Sequence, residues 1–204
     1  MQRDFMDGAI CEVPGTLAVI PPIARLLAAF RQSERPIVHV VRIYQEDGSN
    51  VDLCRRAAVA AGANIVRPGG TGVAIPESLV EASLDTTLLL KGGLQHIGWR
   101  EWAMYKPRWG AFYQTPLEAH LKSFAVSTTI FAGCNFPNCP RTSIYEASER
   151  DFRVVMADDA VSGVYDKGRD EMTNIGVSLL SADDIADRIL AASGEERRRD
   201  HVPR

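Results

Sequence analysis

The feature that most restricts how this chain can fold is a strand-to-helix passage in its second half. Val126-Ser127-Thr128-Thr129-Ile130-Phe131 is β-branched and apolar, with the length of a strand buried on both faces. Ser143-Ile144-Tyr145-Glu146-Ala147-Ser148-Glu149-Arg150 reads as a helix, with Glu146 and Arg150 spaced for an ion pair. The residues between them form a strand-to-helix turn. Open α/β sheets place their ligand sites in such turns, outside the carboxyl ends of the strands.

Cys139 closes that turn, and Pro140 after it suits the first turn of a helix, where a missing N–H costs nothing. A sulfur at a helix start meets unbonded backbone N–H groups and the positive end of the helix dipole, which favour a thiolate. The same amides are placed to hold an oxyanion on a substrate carbonyl. Cys139 therefore reads either as an activated nucleophile or as a small buried hydrophobe, and residue type alone leaves both open. Cys134, at the strand end, reads as structural, and its spacing from Cys139 fits neither a zinc nor a thioredoxin motif.

The rest of the chain alternates between strands and helices. Strands are expected at Pro36–Tyr44, Trp102–Lys106, Phe152–Ala157 and Gly176–Leu180. Helices are expected near Ile23–Phe30, from Asp52 to Ala61 with Asp52 as cap, after Thr115-Pro116, over Asp166–Asn174, and after Ser181. Arg67–Gly72, Gly92–Arg100 and Asp158–Gly163 read as loops, and the glycine cluster at 69–72 lacks a phosphate-loop pattern. The alternation gives an α/β fold: a three-layer α/β/α arrangement on a mainly parallel, roughly six-stranded sheet. Residues 1–193 form the domain, and the charged run 194–204 forms a tail.

Two further positions bear on chemistry. Lys106 ends its strand, and Pro107 holds it extended, so its ammonium stands on the side where Gly133–Cys139 emerges. A positive charge there favours a thiolate at Cys139. Arg42 and Tyr44 lie at the end of the Pro36–Tyr44 strand, where Arg42 suits forked recognition of a carboxylate or an ordinary ion pair. Trp109 and Phe136 complete the candidate substrate-binding residues, although core packing is an equal reading of such rings. His39, inside its strand, reads as a satisfied core histidine.

Gly133 to Cys139, followed by Ile144–Arg153 and Asp158–Ser162, resembles the isochorismatase-like cysteine hydrolase superfamily. Lys106-Pro107-Arg108-Trp109-Gly110-Ala111-Phe112-Tyr113 is similar to its lysine motif, and Met1–Phe5 to the back half of its first motif. The resemblance implies that Cys139 is a nucleophile assisted by Lys106, with the Asn135 and Cys139 amides as oxyanion hole. It implies a non-proline cis peptide between Cys134 and Asn135. It also implies a catalytic Asp one residue before Met1, at the end of a first strand that this chain lacks. Asp4 matches a position outside that set and reads as a turn cap. Nicotinamidase-type relatives carry an Asp-x-His…His metal set in the region that follows Tyr44; no histidine lies between His39 and His96, so no metal and no cofactor are expected. Isochorismatase proper cleaves a vinyl ether without a cysteine, so Cys139 points to C–N bond hydrolysis of a small amide or ureido compound. The alternative is a catalytically silent binding or assembly module.

Composition narrows the partners. The 204 residues are 46% apolar, enough for a real core, and carry a net charge of −3, which gives no reason to invoke nucleic acid or anionic membrane. No apolar run is long enough for a membrane span. Four cysteines without a regular framework suggest a reducing, cytoplasmic setting, and a homo-oligomer is expected.

Overall fold

The computed structural model describes residues 1–200. The chain forms α1 (Ile20–Gln32), β1 (Ile37–Val41), α2 (Arg56–Ala60), α3 (Thr86–Leu90), β2 (Leu94–Gly98) and β3 (Glu101–Tyr105). It continues through α4 (Leu117–Ser123), β4 (Thr128–Gly133), α5 (Cys139–Ser148), β5 (Arg153–Val161), α6 (Asp166–Asn174), β6 (Ser178–Leu180) and α7 (Ala182–Asp200).

The fold is three-layer α/β/α. Strand period places successive side chains on opposite faces, as Met156 and Ala157 of β5 do; the register irregularity that follows interrupts the alternation and returns Val161 to the side of Met156. Val154, Met156 and Val161 face a core shared with Leu117 and Leu121 of α4, Ile144 of α5 and Met172 of α6. Ala157 and Ala160 face the other core, with Ile23, Leu26 and Leu27 of α1 and Ile185 of α7.

The sheet layer is divided. β1, β3 and β2 form one half, with β1–β3 parallel and β2–β3 antiparallel; β4, β5 and β6 form an all-parallel second half. β1 and β4 are the edges that face each other across the division. Arg31 of α1 forks onto Glu101 of β3 at 2.7 and 2.9 Å, and Arg25 of α1 pairs with Asp183 of α7 at 2.7 Å, so α1 ties both halves together.

Several expectations are corrected. Gly92–Arg100, expected as loop, contains β2, because a tight reversal at Trp99-Arg100 brings it back onto β3. The strand predicted to stop at Ala157 runs to Val161 and takes in Asp158 and Asp159. Asp52 caps nothing; it is buried and binds side chains instead. Glu146 and Arg150 do not pair: Arg150 binds Glu118 and the Glu146 carbonyl, while the Glu146 carboxylate accepts from the Phe112 N–H. α7 runs across Gly194 to Asp200, so the first part of the expected tail is helical; residues 201–204 lie outside the described residues.

Candidate active site

β3 and β4 deliver the two chemical groups to the same end of the sheet layer. β4 ends at Gly133, whose φ of +128° suits glycine and swings the chain out of the sheet. The Phe136 N–H then donates to the Ser162 carbonyl at 2.8 Å, and the Ser162 N–H to the Gly133 carbonyl at 3.0 Å, which pins the turn to the end of β5. The implied cis bond between Cys134 and Asn135 is absent: every peptide among the described residues is trans, and Gly133 with the register break after Phe131 turns the chain instead.

Cys139 is the first residue of the ten-residue α5, with Pro140 second. Among the described residues neither the Asn135 nor the Cys139 N–H meets a backbone acceptor. Ser143, one turn along, donates its hydroxyl to the Cys139 carbonyl at 2.7 Å and accepts from the Ala111 N–H at 3.0 Å. That bridge fixes the Pro107–Phe112 loop against the cysteine helix. Gly110 lies so close to Glu146 that an added Cβ would sit 2.1 Å from its carboxylate oxygen and would displace that carboxylate from the Phe112 N–H.

Lys106 is 6% exposed. Its backbone N–H bonds to the Val41 carbonyl at 3.0 Å, and its ammonium donates to the Trp109 carbonyl. Burial pushes the ammonium pKa down, while the charge of the nearby Cys139 sulfur pushes it back up. Burial raises the pKa of the Cys134 thiol.

A cavity of about 740 Å³ is bordered by Cys139, Lys106 and Trp109 and by residues of β1 and β4. Arg42, Gln2 and Asn135 also border it. Arg42 is buried and committed: it donates to Asp52 at 3.0 Å and to the Pro107 and Arg108 carbonyls at 2.6 Å. The Tyr44 hydroxyl donates to Asp52 at 2.6 Å, and its pKa is raised by burial. Tyr44 and Phe136 do not reach the cavity wall, contrary to their expected substrate-binding place. Both are fully buried, Phe136 against Tyr165 with ring centroids 5.5 Å apart.

Sequence reasoning missed Arg55. It borders the cavity, stacks over the rings of Trp109 at 5.4 Å and Phe5 at 5.2 Å, and donates to the Tyr44 hydroxyl at 3.0 Å. Its only local signal was its position three residues after Asp52, with which it pairs at 3.5 Å. Among the described residues no group of histidine, cysteine and carboxylate side chains is arranged to hold a metal.

A parallel α/β domain with a thiol and a buried ammonium at the carboxyl ends of its strands has the build of a small-molecule hydrolase. A family model for the isochorismatase domain matches residues 1–175, and the chain belongs to that family of hydrolases. It is similar to a protein of Arabidopsis thaliana named "probable inactive nicotinamidase", 27% identical over 184 residues, 87% of this chain and 86% of that one. It is also similar to the ureidoacrylate amidohydrolase RutB of Methylobacterium radiotolerans, 27% identical over 168 residues, 76% of this chain and 59% of that enzyme. Its fold matches the crystal structure of an isochorismatase family protein from Desulfovibrio vulgaris, with a TM-score of 0.78, 28% identity and 94% coverage of each chain.

Proposed function

We propose that this protein is a cysteine hydrolase that cleaves the C–N bond of a small amide or ureido compound through a thioester acyl-enzyme. The observation that carries this reading is that Cys139, the first residue of α5, and the buried Lys106 border one and the same cavity. The Cys139 sulfur attacks the carbonyl carbon, and the Asn135 and Cys139 N–H groups take the resulting oxyanion. The C–N bond breaks, the nitrogen leaves as ammonia or an amine carrying the thiol's proton, and water cleaves the thioester to acid and free thiol. The family resemblance assigns both proton transfers to an aspartate. Arg42 and Trp109 are the proposed substrate contacts that border the cavity.

The test is a panel of small primary amides and ureido acids, read by ammonia or amine release and by intact mass. An acyl adduct confined to Cys139, with adduct and turnover both lost in Cys139→Ala, is the expected result. Turnover retained in Cys139→Ala removes the residue from the mechanism.

One observation favours the silent binding module: no aspartate or glutamate among the described residues lines the cavity. That reading predicts amide binding by calorimetry with neither adduct nor turnover. We further propose a reducing, cytoplasmic setting and self-association, supported by the free thiols of Cys11, Cys54, Cys134 and Cys139 and by exposed Leu53 and Trp99. Sedimentation tests the self-association.

A further inference from the structure

Lys106 is not the only cation on the wall of the cavity. Arg42 and Arg55 border it too, and among the described residues no aspartate or glutamate does. The two guanidinium groups share one carboxylate, Asp52, which is buried and stands off the cavity wall. One negative charge against two positive ones leaves a surplus of one positive charge.

The surplus falls on Arg55. Asp52 Oδ1 accepts from Arg42 Nη1 at 3.0 Å, and Oδ2 accepts from the Tyr44 hydroxyl at 2.6 Å. Arg55 Nη1 stands 3.5 Å from Oδ2, well beyond the roughly 2.7–2.9 Å of a charge-assisted hydrogen bond. It donates to the Tyr44 hydroxyl instead, at 3.0 Å. Burial raises the Tyr44 pKa, so the group between Arg55 and Asp52 is a neutral hydroxyl. Arg42 differs: its Nη1 and Nη2 also serve the Pro107 and Arg108 carbonyls at 2.6 Å, so its donors are spent on the protein. The remaining neighbours of Arg55 are the Cys11 sulfur and the rings of Phe5 and Trp109, 5.2 and 5.4 Å away, none of them a carboxylate. Its side chain is 19% exposed, and a guanidinium offers five N–H donors in one plane. A charge so far removed from water is costly until an opposite charge meets it.

We propose that Arg55 is the specificity residue of this site and that the substrate is an anion, whose carboxylate Arg55 receives by forked hydrogen bonds while its amide carbon reaches Cys139. The amide half of this proposal rests on the hydrolase reading; the anionic half does not. Trp109 sets the spacing. Its ring packs on Arg55 and its carbonyl accepts from the Lys106 ammonium, so the two cations stand one tryptophan residue apart. That suits a linear amido acid, with a carboxylate at one end, the scissile C–N bond at the other and a few methylenes between. A neutral amide would leave Arg55 unanswered. The distant ion pair also supplies binding energy that can position the carbonyl at the sulfur.

The test uses malonamate, succinamate, glutaramate and adipamate against neutral amides with methyl in place of carboxylate, such as butyramide and pentanamide. Two labels are read by peptide mass: phenylglyoxal at Arg55 and iodoacetamide at Cys139. At least one amido acid should slow both labels. Its neutral counterpart should need a concentration on the order of ten- to a hundredfold higher to protect Cys139, and should leave Arg55 labelling unchanged. Arg55→Met should weaken the amido acids alone and erase the preference, and Arg55→Lys should restore part of it. Should Arg55→Met lack a cooperative melt, labelling of the parent protein decides. The proposal is overturned if no amido acid of the series protects Arg55, or if neutral amides protect Cys139 as well as anionic ones do. A folded Arg55→Met that keeps the preference overturns it too, and assigns the anion to Lys106. Failure of the hydrolase reading looks different: amido acids that protect both residues but release no ammonia remove the chemistry and uphold the role of Arg55.

Discussion

Lys106 is the residue on which the chemistry turns, because it sits where a charge is most expensive. Burial favours its neutral form, and the Cys139 sulfur is the partner that holds the proton on it. Replacing it with methionine keeps the volume and removes the charge. Lys106→Met should slow iodoacetamide alkylation of Cys139 at neutral pH by about tenfold or more, as loss of the neighbouring positive charge makes the sulfur a poorer nucleophile. An unchanged alkylation rate would mean that the helix start alone sets the reactivity of Cys139. The folded state also binds this proton less readily than the unfolded chain does. Lys106 therefore adds stability as pH rises toward 10.5, the ordinary lysine value, and that gain should be missing from the Lys106→Met melts.

At the scale of elements, what could be read from the chain depended on whether neighbours in sequence settle the matter. The β4–turn–α5 passage was legible because its strand, its proline and its helix pattern are all local. So was the strand that stops beside Lys106, from Pro107 and the apolar run before it; the strand itself ends at Tyr105. β2 was not legible, since Leu94–Gly98 becomes a strand only by folding back on β3. Glu146 was misassigned because its carboxylate answers a loop N–H 34 residues away rather than the arginine one turn along. Arg55, Tyr44 and Asp52 form a cluster that only tertiary packing creates.

The junction of α1, β1 and β3 carries a pH dependence of its own. His39 Nε2 lies 2.6 Å from Glu101, which also takes the Arg31 fork. Burial holds the His39 pKa below its usual 6.5 despite the carboxylate. Burial alone would raise Glu101, but the hydrogen bonds from Arg31 and His39 overcome it and bring the carboxyl to about 2. The histidine binds its proton less readily when folded, so stability falls as pH drops below 6.5. The carboxylate contributes stability that is complete above 4.5 and lost as pH falls toward 2. Melting temperature should therefore decline in two stages on acidification, and His39→Gln should remove only the first. A single decline confined to pH below 4.5 in the parent protein would contradict the assignment to His39.

For the molecule as a whole, the divided sheet makes the helices responsible for cohesion. β1, β3 and β2 share no ladder with β4, β5 and β6. On one face the halves are joined by α1, which packs against α7 and β5 while its Arg31 reaches β3. On the other face they are joined by the 107–112 loop through Ser143 and Glu146. Leu26, buried in the α1 core, sits in the first of these joints. Leu26→Ala should cost about 2–5 kcal/mol, as deletions of a buried leucine do, and lower Tm by roughly 4–20 °C for a chain of this size. Because the lost contact lies between the halves, the variant should also unfold less cooperatively. Amides of β3 should exchange through an opening of lower free energy than those of β5, where the parent protein shows a common one. The half built on β5 keeps an all-parallel ladder with α5 and α6 against it, whereas the half built on β3 loses the helix that covers it. Equal loss of protection in β3 and β5 would show instead that the two halves stay one cooperative unit, joined across the 107–112 loop strongly enough to survive a weakened α1.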